Sequence, residues 1–264
     1  MCHYDSVLVF RDFLDINVYR NFLLLFVALY ILGSKVFVKS QQMREYADNL
    51  LRLFIQHSIQ IYGHVFVVYN VHALCHLSKE CEAHGSLDEF SAFKFENALK
   101  SLKQTLKSHY QPLQQVALRD CERQLNGNAV ILPSEELQVS LSQPYTNNNE
   151  VLPGSHYKRI TIGKIMLHVN GKDSCFKTRN GEVVVLHNIV CGNDNVVSLV
   201  GNCFQEKLDF FVYPLQSSKL GIFKVSNLSA ARRVFEVADI VAKCWLMPDG
   251  NSFCCVPLLH TCQQ

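Results

Sequence analysis

At 264 residues, with 48% hydrophobic and 18% charged side chains, the chain can bury one large core or two modest ones, which excludes a disordered polypeptide. A formal charge of +2 excludes nucleic-acid binding through the field of the whole molecule, so any electrostatic footprint must be local. Eleven cysteines, an odd number with no C-x-x-C and no regular spacing, read as reduced, mostly buried thiols, and this places the chain in the nucleus or cytoplasm.

The first clear element is the apolar run Phe22 to Leu32, closed by Gly33-Ser34-Lys35. It falls short of the roughly twenty residues of a membrane span, so it predicts a buried core helix near 18–33 and no membrane association. Met43, Tyr46, Ala47, Leu50, Leu51 and Phe54 then recur at steps of three and four, which predicts an amphipathic helix of about four turns capped by Ser40. Val65-Phe66-Val67-Val68-Tyr69, between Gly63 and Asn70, predicts a short buried strand or an extended entry into the next helix. That helix carries His72 and His76 and ends at Gly85. Beyond residue 125, Asn126-Gly127-Asn128, Pro133, Pro144, the run Asn147-Asn148-Asn149 and Pro153-Gly154 break all periodicity.

From Lys158 onward, short apolar or alternating runs are separated by turn residues: 160–169, 175–177, 183–189, 196–200, 210–213 and 254–259. This texture predicts a small, mainly antiparallel β-barrel. The expected class is therefore α+β, with a mostly helical region over 1–125, a linker over 126–157 and a β-barrel domain over 158–264.

Chemistry-bearing residues concentrate before the linker. On a helix beginning near Ser91, the residues Phe95, Leu99, Leu102 and Leu106 form the expected buried stripe. Glu96, Lys100, Lys103 and Lys107 share a neighbouring face, where Glu96 could ligate a divalent metal and the lysines neutralise phosphates. The competing reading is a solvated face with a Glu-to-Lys pair worth about 0.2–0.5 kcal/mol. His72 and His76, four residues apart, point the same way on a helix and suit joint metal or phosphate contact, or simple helix packing. The segment His-Ala-Leu-Cys-His lacks the glutamate of a zinc protease, and no glycine-rich phosphate loop occurs, so neither metalloprotease nor nucleotide hydrolase chemistry is supported.

The segments Tyr69-Asn70-Val71-His72-Ala73-Leu74-Cys75-His76-Leu77, Gly85-Ser86-Leu87, Phe93-Lys94-Phe95-Glu96-Asn97 and Leu102-Lys103 resemble the C-terminal part of CACTA (En/Spm)-type DNA transposases. Residues 8–14, 19–25 and 213–225 are similar to the animal members. The resemblance implies an RNase H-like catalytic core, in which two aspartates and one glutamate hold divalent metals, followed by a small SH3-like barrel. By position Glu96 corresponds to the glutamate. Asp5, Asp12, Asp15, Asp48 and Asp88 precede it, yet none ends a long apolar strand as the aspartate ligands should. The chain is therefore expected to begin after those aspartates and to be an inactive transposase remnant with no cofactor, its ancestral Mg2+ site incomplete. On this reading the helix near 18–33 lacks strands that would cover it. Expected partners are DNA, contacted by Lys100, Lys103, Lys107, His72 and His76, and a second copy or a full-length transposase. The alternative is a protein-interaction module acting through the β-barrel, whose aromatics Phe204, Phe210, Phe211, Tyr213 and Trp245 serve as core or as a cage for a methylated lysine.

Overall fold

A computed structural model describes residues 2–92, 95–96, 99–100, 103–104, 106–107, 110–125, 139–146, 153–169 and 171–262. The chain is α+β, with helices in its first part and an antiparallel sheet in its last. It divides into two compact units, one made of 1–87 with 138–264 and the other of 88–137. The early helices and the sheet thus share one unit rather than forming separate domains.

Helix α1 (Cys2–Phe13) leads into α2 (Ile16–Gly33) through Asp15, whose carboxylate accepts the Asn17 N–H at 2.9 Å. In α2 the buried side chains Leu23, Leu24, Phe26, Val27, Ala28, Tyr30, Ile31 and Leu32 nearly encircle the helix, so it must be covered on several sides. Helix α3 (Gln41–Tyr62) covers one of them. Ser40 caps it as expected, accepting the Met43 N–H, and Ala47, Leu50, Leu51, Phe54 and Ile55 face α2 as one stripe. The buried Asn21 amide donates to Ser58 Oγ at 2.9 Å, fixing the register between the two helices. The periodic pattern runs to 22 residues, longer than the four turns read from its apolar residues, because the polar ends continue it to the C-cap glycine Gly63.

The sheet covers a second side of α2. Tyr30 Oη donates to Pro257 O at 3.1 Å, and Phe211, Leu220, Ile222, Met247, Cys254 and Val256 pack into the same cluster as α2 and α3. The expectation that this helix lacks covering partners is corrected. By length and apolarity α2 could cross a membrane, but ten of its residues are buried inside this unit.

Val65–Tyr69 is neither a strand nor buried. It forms a 3-10 turn (His64–Phe66) and the start of α4 (Tyr69–Ala73), with Val65 91% and Tyr69 83% exposed. A β-branched run does not make a strand without a partner strand to satisfy its backbone. Another 3-10 turn links α4 to α5 (Leu77–His84), which stops at Gly85, whose positive φ of 86° suits a residue without a Cβ. Helices α6 (Leu87–Phe90) and α7 (Pro112–Leu125) follow, and between them the described residues 95–96, 99–100 and 103–104 are also helical.

The strands are β1 (Val139–Tyr145), β2 (Ser155–Ile162), β3 (Ile165–His168), β4 (Cys175–Thr178), β5 (Val183–Cys191), β6 (Val197–Asp209), β7 (Phe223–Glu236), β8 (Ile240–Asp249) and β9 (Ser252–Pro257). The segment expected as a linker, 126–157, thus contains β1 and the start of β2. The run 210–213, expected as a strand, is a loop that buries Phe211 against the helices. Pairings run β5–β4–β8–β9–β7–β6 and return from β6 to β5, so six antiparallel strands close a ring, while β2, with β1 and β3 alongside it, extends from β5.

Alternation along the ring strands sorts side chains into layers. Phe176, Val184, Leu186 and Leu199 point outward to the cluster covered by Ile160, Ile162, Ile165 and Leu167 of β2 and β3. Met247, Cys254 and Val256 point outward to the helices. Cys175, Val183, Phe204, Val225, Cys244 and Cys255, one from each ring strand, fill the interior. Gly201 allows the closure between β5 and β6, since a Cβ there would lie 2.6 Å from Val184 Cγ1 and 2.7 Å from Val185 O.

Candidate functional site

The residues singled out from the sequence fall in both units. Glu96, Lys100, Lys103 and Lys107 belong to unit 88–137, where the backbone is helical at 95–96, 99–100 and 103–104 and all four side chains are exposed. The expected buried stripe beside them is corrected: Phe95 is 71% and Leu99 57% exposed, and Leu106 is half-buried. Leu102 lies outside the described residues. Spacing places apolar residues on one face but cannot supply a surface to cover it. The Lys107 N–H donates to Gln115 Oε1 at 2.9 Å, and Lys107 borders a cleft of about 410 Å3 with Tyr110, Gln111, Arg119 and Glu122.

His72 and His76 belong to the other unit. Their rings lie 5.5 Å apart, edge to face, and both are exposed, so the four-residue spacing does bring them together. His76 also borders a cleft of about 620 Å3 with Asp48, Arg52, Lys79 and Glu82. Cys81, by contrast, is on the buried face of α5 against Leu32 O, and burial pushes its thiol up to about 11. Three of the early aspartates have local structural duties. Asp12 pairs with Arg11 at 2.9 Å, Asp15 caps α2, and Asp48 pairs with Arg52 one turn on at 2.7 Å.

Among the described residues, the one group of three or more metal-capable side chains whose ligand atoms converge is Cys175, Cys244 and Cys255, all buried, with sulfurs within 4.8 Å of one another. Hydrogen bonding among the three sulfurs, together with burial, holds these thiols well above the usual thiol range. They sit 69 and 11 residues apart in sequence, so no spacing rule could have found them. The available signal was parity: each lies at an inward position of its strand, and only strand pairing reveals that those strands are neighbours.

The aromatics expected in the β region do not share a cavity. Phe204 lies inside the ring, whereas Phe210, Phe211 and Trp245 pack with the helices, with the Arg11 guanidinium 5.1 Å from the Phe210 ring centroid. They serve as core. Residues 144–258, from the end of β1 to just past β9, match a domain of unknown function, DUF8592. No curated protein and no solved structure matches the chain.

Proposed function

We propose that this chain is a transposon-derived binding protein that no longer cuts DNA and contacts the duplex backbone through Lys100, Lys103 and Lys107. The observation that carries this reading is the placement of the lysines: all three extend into solvent from a short stretch with Glu96, as phosphate contact requires. The resemblance of 69–77, 85–87, 93–97 and 102–103 to CACTA transposases supplies the kind of partner. Loss of cleavage is supported by the local duties of three aspartates, Asp15 in a helix cap and Asp12 and Asp48 in arginine pairs. On this reading the helical region over 1–125 descends from an RNase H-like core and the strand ring from an SH3-like barrel, the latter supported by ring closure around a filled interior. A nuclear or cytoplasmic location agrees with the free thiols of the described cysteines.

Each phosphate contact contributes about 0.9 to the slope of log K against log salt on B-DNA. Replacing the three lysines by alanine should therefore flatten that slope by roughly 2 to 3 in an anisotropy titration with duplex DNA. A second reading, a protein-interaction module acting through the β region, is favoured by β1, which among the described residues pairs with β2 alone and leaves one edge open. An absence of salt-dependent DNA affinity in the intact chain would sink the first reading and leave the second.

A further inference from the structure

We propose that Cys175, Cys244 and Cys255 form a thiolate site for one soft metal ion, Cu(I), inside the strand ring. Three neighbouring strands supply one ligand each. The register that pairs Phe176 with Lys243 sets Cys175 across from Cys244, and the register that pairs Leu246 with Cys255 sets the third sulfur one diagonal step away on the same inward face. Side-chain positions are fixed by the backbone ladders, so the ligand set is preorganised.

Distance fits a shared ion. A metal–sulfur bond of about 2.3 Å requires sulfur–sulfur separations of about 3.8–4.0 Å in a tetrahedral or trigonal set. The three sulfurs, all within 4.8 Å of one another, need contract by less than an ångström. Rotation about the Cα–Cβ bonds supplies a movement of that size.

Ligand softness and coordination number select the ion. Thiolates favour Cu(I), zinc and iron–sulfur clusters over hard cations. Zinc completes a fourth ligand, but no histidine, aspartate or glutamate among the described residues joins this group. The surrounding walls are Val183, Val185, Phe204, Phe223, Val225 and Leu246, which offer a water molecule no hydrogen-bonding partner. Cu(I) is satisfied by two or three sulfurs and needs neither.

Charge balance is also provided for. If two thiols ionise and the third stays protonated, two protons leave to solvent for each ion bound, and the complex keeps one net negative charge. Lys177 lies beside this group: its ammonium sits 5.7 Å from the centroid of the Phe223 ring, and its field acts on Cys244. One buried charge faces one cation, which is the condition under which a buried charge is tolerated.

The test uses the full chain, produced in copper-supplemented and in zinc-supplemented cells and purified under reducing, oxygen-free conditions. Metal content is measured by mass spectrometry, and the copper sample is studied by X-ray absorption. The expected result is one copper per chain, held by two or three sulfurs and no nitrogen or oxygen. Cys244→Ser should lower copper retention against a Cu(I) chelator roughly tenfold or more, while Cys191→Ser, outside the group, leaves it unchanged. Near-UV circular dichroism confirms that each variant is folded, and if Cys244→Ser fails to fold, the ligand count in the unaltered chain decides. A chain that takes up no metal in either medium, with an unchanged melting temperature, would mean three neutral thiols filling the core and would overturn the proposal. Stoichiometric zinc with copper refused would overturn the choice of ion.

Discussion

Asp249 at the end of β8 serves two cations at once, taking Arg11 of α1 at 2.6 Å and Lys224 of β7 at 3.1 Å. The Arg11 guanidinium, with Lys224 adding to it, holds the Asp249 carboxyl down at about 2, and its side chain is only 11% exposed. Because the folded pKa lies below the unfolded one, the stability it contributes is present above about pH 4 and is lost as pH falls from there toward about 2. Asp249→Asn should cost on the order of 2 kcal/mol at neutral pH and flatten the acid limb of a urea-denaturation series. Parallel acid limbs for the two proteins would show that the pair contributes nothing. None of this was legible in the sequence, where Arg11 and Asp249 are 238 positions apart and each resembles any surface charge.

At the scale of elements, α2 and α3 were legible because periodicity and capping are local: Ser40, Gly63 and the stripe from Ala47 to Phe54 all lie within one helix. Leu24→Ala in α2 should cost about 2–5 kcal/mol, because Leu24 is fully buried, whereas Phe13→Ala, at a position 83% exposed, should stay within about 0.5 kcal/mol. Equal effects in chemical denaturation would mean that α2 is not a core helix. The strands were less legible. β7 carries Asn227-Leu228-Ser229-Ala230-Ala231-Arg232-Arg233 through its middle with no alternation of polarity, and most of those side chains are exposed. It is a strand because β6 and β9 satisfy its backbone, an influence that no window of sequence contains. Val65–Tyr69 shows the converse, a run of strand-forming residues without a neighbour to pair with.

Across the whole larger unit, the outer face of β8 and β9 is covered by α1 and α2, so the matched region 144–258 is not a self-sufficient core. A fragment of 144–258 alone would expose Met247, Cys254, Val256 and Ile222, an apolar surface that drives association. Light scattering should find it oligomeric or aggregated, and near-ultraviolet and far-ultraviolet melts of the full chain should show the helices and the ring unfolding together. A monodisperse, cooperatively folding fragment would contradict this.

Composition, helical periodicity, caps and the Asn-Gly punctuation of the second half were enough to determine an α+β chain with a buried apolar helix and a strand-rich end, because these depend on interactions between near neighbours. Tertiary structure alone decided that helices and sheet share one core, that six strands close a ring, that Phe95 and Leu99 beside Glu96 stay exposed, and that three distant cysteines meet. Such contacts join residues tens to hundreds of positions apart, and their free energy depends on which surfaces arrive opposite one another, a quantity absent from any local pattern.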